Sequence, residues 1–282
     1  MLDKFGITIQ KKSFKALGER ARQIPDERAE AVWSEWQGRL RLDGVSPRAR
    51  NSALKLYLAV RDELDQDSTV RGVGINCLNE SHFSDTTPCL AWNMLFEERR
   101  LIWGCEADTV SMLTKYVLYH ALNAPIMMTN LYPFLMGQAA LKHERIESFP
   151  NVDEPENHVL VAHCGYLGVL PQSFATEWTL RPKVLAIVDD NATAIDARLP
   201  VGDVTLAKLD PSFDKMTVVE GTLAGYAQYP GSDCLNGAVI KVPDGHALMT
   251  NLTSHHYLLM TGHVAPEIRA LGAIFGLEIE QF

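Results

Sequence analysis

Leu101-Ile102-Trp103-Gly104-Cys105-Glu106-Ala107-Asp108 is an apolar run of strand length that ends on two carboxylates. The residues that follow, from Asp108 to Leu122, carry apolar side chains at helical spacing. Where a strand passes straight into a helix, its last side chains stand beyond the backbone pairing and can converge on a ligand. Upstream, Val70 to Cys77 repeats the short, β-rich pattern and leads into Asn79 and Ser81, and a helical stretch from Pro88 to Arg99 separates the two runs. This alternation predicts a doubly wound α/β layer, in which ligands collect at the carboxyl ends of the strands.

On the N-terminal side the spacing is helical. Phe14, Leu17, Ala21, Ile24, Ala29, Ala31, Val32 and Trp36 follow a helical period broken once, at Pro25. Ser46-Pro47 opens a further helix to about Leu64, with Ser46 as N-cap and Pro47 at the first helical position. On the C-terminal side the character changes near residue 150. Val159 to Ala162, Val184 to Val188, Val204 to Leu209, Lys215 to Val219 and Ala238 to Val242 are strand candidates. Asp189-Asp190-Asn191, Val201-Gly202-Asp203, Pro230-Gly231-Ser232-Asp233 and Pro243-Asp244-Gly245 are the turn signals among them. A helix from Ala265 to Phe275, opened by Pro266 and stopped near Gly276, precedes a last apolar strand, Leu277 to Ile279. The expected architecture is an α/β domain over residues 1–150, then an antiparallel β-barrel-like domain over 151–282 that carries the C-terminal helix.

Composition narrows the function classes. The 282 residues are 46% hydrophobic and 22% charged, values of a folding chain with room for two domains. The net charge of −9, with basic residues scattered, argues against nucleic acid as a partner. No apolar stretch is long enough to span a membrane and the N-terminus has no signal-like apolar core, so a cytoplasmic protein without a membrane partner is expected. The five cysteines never form a C-x-x-C pair, which predicts reduced, buried thiols rather than a disulfide framework or zinc knuckle. Gly72-Val73-Gly74 lacks the rest of a dinucleotide fingerprint, and neither a phosphate loop nor a G-x-S-x-G elbow occurs.

Three places bring metal-capable residues to strand ends. Glu106 and Asp108 close the run quoted above; an N-cap role for Asp108 is the plain structural alternative. Val159-Leu160-Val161-Ala162-His163-Cys164-Gly165 delivers an imidazole at the end of an apolar strand, where a hydrogen-bonded structural histidine is the other reading. Thr253-Ser254-His255-His256 is the third; adjacent histidines on a strand face opposite ways, so the pattern places one of the pair at a given site. Carboxylates with imidazoles suit Mn²⁺ or a similar divalent ion, which polarises a carbonyl and holds two adjacent sugar oxygens. Glu80, after the preceding strand, is either a second carboxylate for the same cleft or a solvated loop charge. Tyr132, Trp178 and Tyr257 either line a sugar pocket or fill the core.

In this order, three segments resemble one family. Ser254-His255-His256-Tyr257-Leu258-Leu259-Met260-Thr261-Gly262-His263-Val264 looks like the C-terminal metal-histidine segment of L-fucose isomerase. Cys105-Glu106-Ala107-Asp108 through Leu113-Thr114 looks like that family's metal-glutamate turn, and Val161-Ala162-His163-Cys164-Gly165 is similar to the histidine-bearing strand of L-arabinose isomerase. The resemblance implies a metal-dependent aldose–ketose isomerase acting on a free monosaccharide through an enediol, with Glu106 as ligand and acid/base carboxylate. It implies His256 and His163 as further ligands; Asp108, Glu80, His255 and Tyr257, read from their own positions, are the substrate-side candidates. It also implies a homo-oligomer, trimer or hexamer, and a chain matching the latter part of a longer polypeptide without its N-terminal domain. The family's second metal carboxylate belongs in Pro125-Ile126-Met127-Met128-Thr129-Asn130, where this chain has Asn130. An amide oxygen can ligate a cation but cannot take or return a proton at neutral pH. A catalytically degenerate sugar-binding or subunit protein of the same fold is therefore the alternative.

Overall fold

The computed structural model describes residues 2–124, 126–132, 152–163, 166, 172–227 and 236–282. Four helices of the N-terminal part pack together: α2 (Phe14–Gln23), α3 (Asp26–Trp36), α4 (Pro47–Leu64) and α6 (Cys89–Arg99), after a short α1 (Leu2–Phe5). Their ends follow the expected chemistry. The Ser13 and Ser46 side chains accept from Ala16 N and Ala49 N, Pro47 opens α4, and Pro25 separates α2 from α3. Helix α6 is buried continuously from Cys89 to Phe96, because α4 covers one side while the strands Ile102–Cys105 and Thr193–Arg198 lie against others.

Of the doubly wound layer expected from the strand–helix alternation, the described residues contain one parallel pair, β2 (Gly72–Ile75) and β3 (Ile102–Cys105). Helix α7 (Thr109–Leu122) lies across this pair. A Cβ on Gly104 would meet Met112 Cγ at 2.2 Å, and one on Gly74 would meet Met112 Sδ at 2.9 Å, so the glycines let α7 approach closely. Gly72, the other glycine of the G-x-G, faces the same side chain, with Met112 Cε 3.0 Å from where its Cβ would be.

A closed barrel of six antiparallel strands dominates the rest. Its order is β10 (Gly237–Lys241), β5 (His158–Ala162), β4 (Met127–Tyr132), β11 (His256–Thr261), β8 (Gly202–Leu209) and β9 (Lys215–Ala227), with β9 pairing back to β10. Strand β9 runs well past the Lys215–Val219 segment picked out by composition, and its register with β10 shifts between Val239 and Ile240, a bulge of the kind that bends a strand round a barrel. Residue 150, the expected domain boundary, falls between β4 and β5, which are barrel neighbours. The C-terminal helix α9 (Ala265–Phe275) ends at Gly276 with φ +63°, and β12 (Glu278–Gln281) then adds to β9 in parallel.

A separate sheet joins β1 (Arg41–Leu42), β6 (Glu177–Pro182) and β7 (Thr193–Arg198). Its strands β6 and β7 replace the expected strand Val184 to Val188, which is turn and coil with Ile187 59% exposed. That apolar run has no strand to pair with, whereas the flanking segments pair with each other over six residues. Helix α8 (Gly245–Thr250), capped by the Asp244 side chain, takes the place of a simple turn at Pro243-Asp244-Gly245. Cys77, Cys89 and Cys105 are buried thiols. Pro125, Cys164, Gly165, Cys234 and the turn at 230–233 lie outside the described residues.

Barrel closure gives a stability prediction. A Cβ on Gly237 would stand 2.0 Å from Val161 O on the neighbouring strand, a backbone atom that cannot swing aside. Gly237→Ala is expected to destabilise the fold by about 1–3 kcal/mol, the usual cost of overpacking, seen as a lower urea midpoint with unchanged slope.

Candidate metal centre

Helix α7 carries the site because of where it packs: one side lies on β2–β3 and another on β8 and β11 of the barrel. Its N-terminus therefore meets the start of β11. The turn from β3 into α7 is tight, with Glu106 and Ala107 both at φ 55°, left-handed values that cost a non-glycine residue about 1–2 kcal/mol. Hydrogen bonds from Ala107 N to Ile75 O (3.2 Å) and from Asp108 N to Cys105 O (3.1 Å) hold it. Strained backbone of this kind persists where surroundings over-determine it, commonly at sites that do chemistry.

The turn aims Glu106 at two imidazoles. One ligand atom each from Glu106, His255 and His256 lies within 4.8 Å of the others. His256 Nε2 is 3.7 Å from Glu106 Oε2. Both histidines reach the same place because His255 precedes the first residue of β11, at a bend, where strand alternation does not apply. The expectation that one of the pair would turn away is thus corrected: their rings lie 4.0 Å apart. His163, bridged to Tyr166 at the end of β5, stacks on His256 with ring centroids 5.7 Å apart and planes at 17°. Asn130 sits directly opposite His256 in the β4–β11 register, on the same face of the barrel wall.

The remaining sequence candidates are placed elsewhere. Asp108 is the N-cap of α7, accepting from Ser111 N at 2.8 Å, and also bonds His256 Nδ1 at 2.8 Å. Its oxygens are taken up by protein donors rather than presented to a substrate. Tyr257 follows His256 on β11, faces the opposite way and is wholly buried in the core, as Trp178 is in its own sheet. Glu80 ends the short helix α5 (Cys77–Glu80) and, among the described residues, makes no hydrogen bond or ion pair with the centre. Ser111 and Lys208 are members that sequence reasoning missed. A lysine in the run Val204–Leu209, whose other residues are uncharged, was the available signal, since a strand buried on both faces keeps such a charge only with a partner.

Electrostatics follow from burial among these charges. Burial alone would raise the Asp108 carboxyl, but the His256 hydrogen bond, the Lys208 ammonium and the bonds from Ser111 outweigh it and hold it far below the usual carboxylate range. The His256 imidazole, whose Nε2 lies 3.7 Å from the carboxylate, likewise lowers Glu106 against the effect of its burial. Burial pushes His256 down, yet Asp108 and Glu106 together raise it above the ordinary imidazole value. His163, buried and beside His256, is lowered to about 4, and His255 is lowered for the same reasons. The neighbouring imidazoles are thereby kept neutral, the form that ligates a metal.

The residues present fit a divalent cation. Asn130 Nδ2 donates to Tyr132 Oη at 2.9 Å, which leaves Oδ1 as the amide's outward acceptor. Among the described residues, Asn130 Oδ1 and His256 Nε2 are both buried without a hydrogen-bond partner. Orphaned buried acceptors beside a carboxylate, on facing positions of two paired strands, are what a cation would satisfy. A two-histidine, one-carboxylate set suits first-row divalent ions in general. No helix of the described residues is long and apolar enough to cross a membrane. Compared with known proteins, the chain matches no family model, and no curated protein matches it.

Proposed function

We propose that this chain is a divalent-metal-dependent ketol isomerase of free monosaccharides, with Mn²⁺ held by Glu106, His255 and His256 and supported by Asn130 and His163. The observation that carries the metal reading is the convergence of Glu106 with two histidines about 150 positions away in the sequence, their ligand atoms within 4.8 Å. The sugar reading rests on the three segments that resemble the fucose and arabinose isomerases. A homo-oligomer belongs with that same resemblance, while a cytoplasmic location and a doubly wound first domain rest on composition and on the strand–helix alternation.

A bound divalent ion would supply charge to polarise the carbonyl and to orient two adjacent sugar oxygens. Glu106, its pKa lowered by His256, is ionised at neutral pH and can accept the proton from C2 and return it to C1. With one proton passing from C2 to C1 and one from O2 to O1, aldose becomes ketose without any redox partner. Asn130 contributes an acceptor oxygen and no proton. Because Asp108 is already engaged by Ser111, Lys208 and His256, Glu106 alone carries the acid/base role among the described residues.

That single free carboxylate also favours a second reading, a sugar-binding protein without turnover. Solvent-deuterium exchange into a panel of aldoses and ketoses with added Mn²⁺ separates the two. The isomerase reading expects metal-dependent exchange at C1 or C2 that falls by about 10²–10⁴ in Glu106→Ala, the usual worth of a positioned acid/base group. No exchange in the parent, but exchange gained in Asn130→Asp, would replace it with the binding reading.

A further inference from the structure

His256 is not held by its strand alone. Its Nδ1 lies 2.8 Å from Asp108 Oδ2, and that oxygen also accepts from Ser111 Oγ at 2.8 Å and from Lys208 Nζ at 3.2 Å. Lys208 Nζ closes the cluster by donating to Ser111 Oγ. The parts come from three elements: Asp108 and Ser111 from the first turn of α7, Lys208 from β8 and His256 from β11. Lys208 is 1% exposed and His256 2%, while the Asp108 side chain keeps 18%.

An ionised carboxylate has acceptors only, so the His256 nitrogen facing Asp108 must carry the hydrogen. In the neutral ring the other nitrogen, Nε2, then keeps its lone pair, and it is the one turned toward Glu106. We propose that Asp108, braced by Lys208 and Ser111, is the positioning residue of the centre: it fixes the His256 tautomer and ring plane so that Nε2 is the ligating atom. This assigns Asp108 a role away from substrate, and it rests on the metal reading given above. Lys208 serves as a buried counter-ion that keeps the carboxylate in place beneath the imidazole. A metal-bound histidine whose second nitrogen is held by a carboxylate is a recurrent arrangement, and loss of the outer partner costs about 10–100-fold in metal affinity.

Asp108→Asn is the discriminating variant because asparagine caps a helix as well as aspartate, so α7 keeps its N-cap. With Oδ1 accepting from Ser111 N, the amide Nδ2 faces His256 Nδ1 as a donor, which forces the hydrogen onto Nε2. Two readouts are taken on the full chain: nitrogen NMR of the imidazoles without metal, at alkaline pH where the ring is neutral, and calorimetric titration with Mn²⁺. The expected result is a hydrogen on Nδ1 of His256 in the parent and on Nε2 in Asp108→Asn, with Mn²⁺ affinity about 10–100-fold weaker in the variant. A parent ring with its hydrogen on Nε2, or a variant that binds Mn²⁺ as the parent does, overturns the proposal. If the parent takes up no Mn²⁺, the metal reading fails by itself, and the tautomer of the parent ring still decides whether Asp108 orients His256.

Discussion

Glu106→Gln and His256→Gln are each expected to weaken Mn²⁺ binding by at least about 100-fold, since groups that only touch a ligand are already worth about 10–100-fold. Each substitution is close in volume and removes either the anionic oxygen or the imidazole nitrogen from the group of three. The same titration has a pH dependence of predictable sign. An ion must displace any proton on His256, and the carboxylates of Asp108 and Glu106 raise that ring's pKa. Affinity should therefore hold above that raised value and fall as the pH drops through it, while His163, lowered to about 4, contributes no proton competition in that range. Calorimetry across pH reads both effects. Parent-like affinity in Glu106→Gln would show that the ion, if bound, sits elsewhere.

Lys115→Met is expected to stabilise the protein. Lys115 projects from α7 into the core between Trp103, whose ring centre lies 3.1 Å from the amine, and Phe96 at 5.6 Å. It is fully buried, and among the described residues its Nζ has no hydrogen-bond partner. Burial drives its pKa well below the ordinary lysine value, with Cys105 opposing only in part. The cost of burying an unsatisfied polar group is about 1–3 kcal/mol and more for a charged one, so replacement by a thioether that packs on aromatic rings should recover a gain of about that size.

The pH dependence of the Lys115 effect gives the assignment its own check. An unfolded chain takes up the Lys115 proton below the ordinary value of 10.5, whereas the folded chain does so only at lower pH. The unfolded state thus binds more protons in that interval, and the lysine destabilises progressively as pH falls through it. The advantage of Lys115→Met should be large at neutral pH and shrink as pH approaches the ordinary lysine range. Urea melts of both proteins at neutral and alkaline pH measure it; a variant less stable than the parent at neutral pH would mean that the amine finds a compensating contact.

Much of the local structure was legible because it depends on near neighbours. Ser46-Pro47 capped and opened α4, Pro25 split α2 from α3, and Pro266 and Gly276 bounded α9 where the chemistry of capping and positive φ requires. Such signals act within a turn or two of chain. The misread segment, Val184 to Val188, was apolar enough for a strand, but strands need partners, and β6 and β7 satisfied each other on either side of it. The long β9 was read too short because its second half draws on pairing with β10 rather than on unbroken hydrophobicity.

The sequence by itself determined the types of element, most of their ends, and the three strand-end segments from which the centre is made. Tertiary structure alone decided the rest, because barrel closure is a non-local pairing. Pairing β4 with both β5 and β11 sets Asn130 opposite His256 and the end of β5 close by, across the position where composition suggested a domain boundary. Packing α7 between the parallel pair and the barrel brings Asp108 beneath His256 and Lys208, turning a candidate substrate carboxylate into a helix cap that grips an imidazole. No spacing in the chain encodes those contacts; they arise from which apolar faces are buried together.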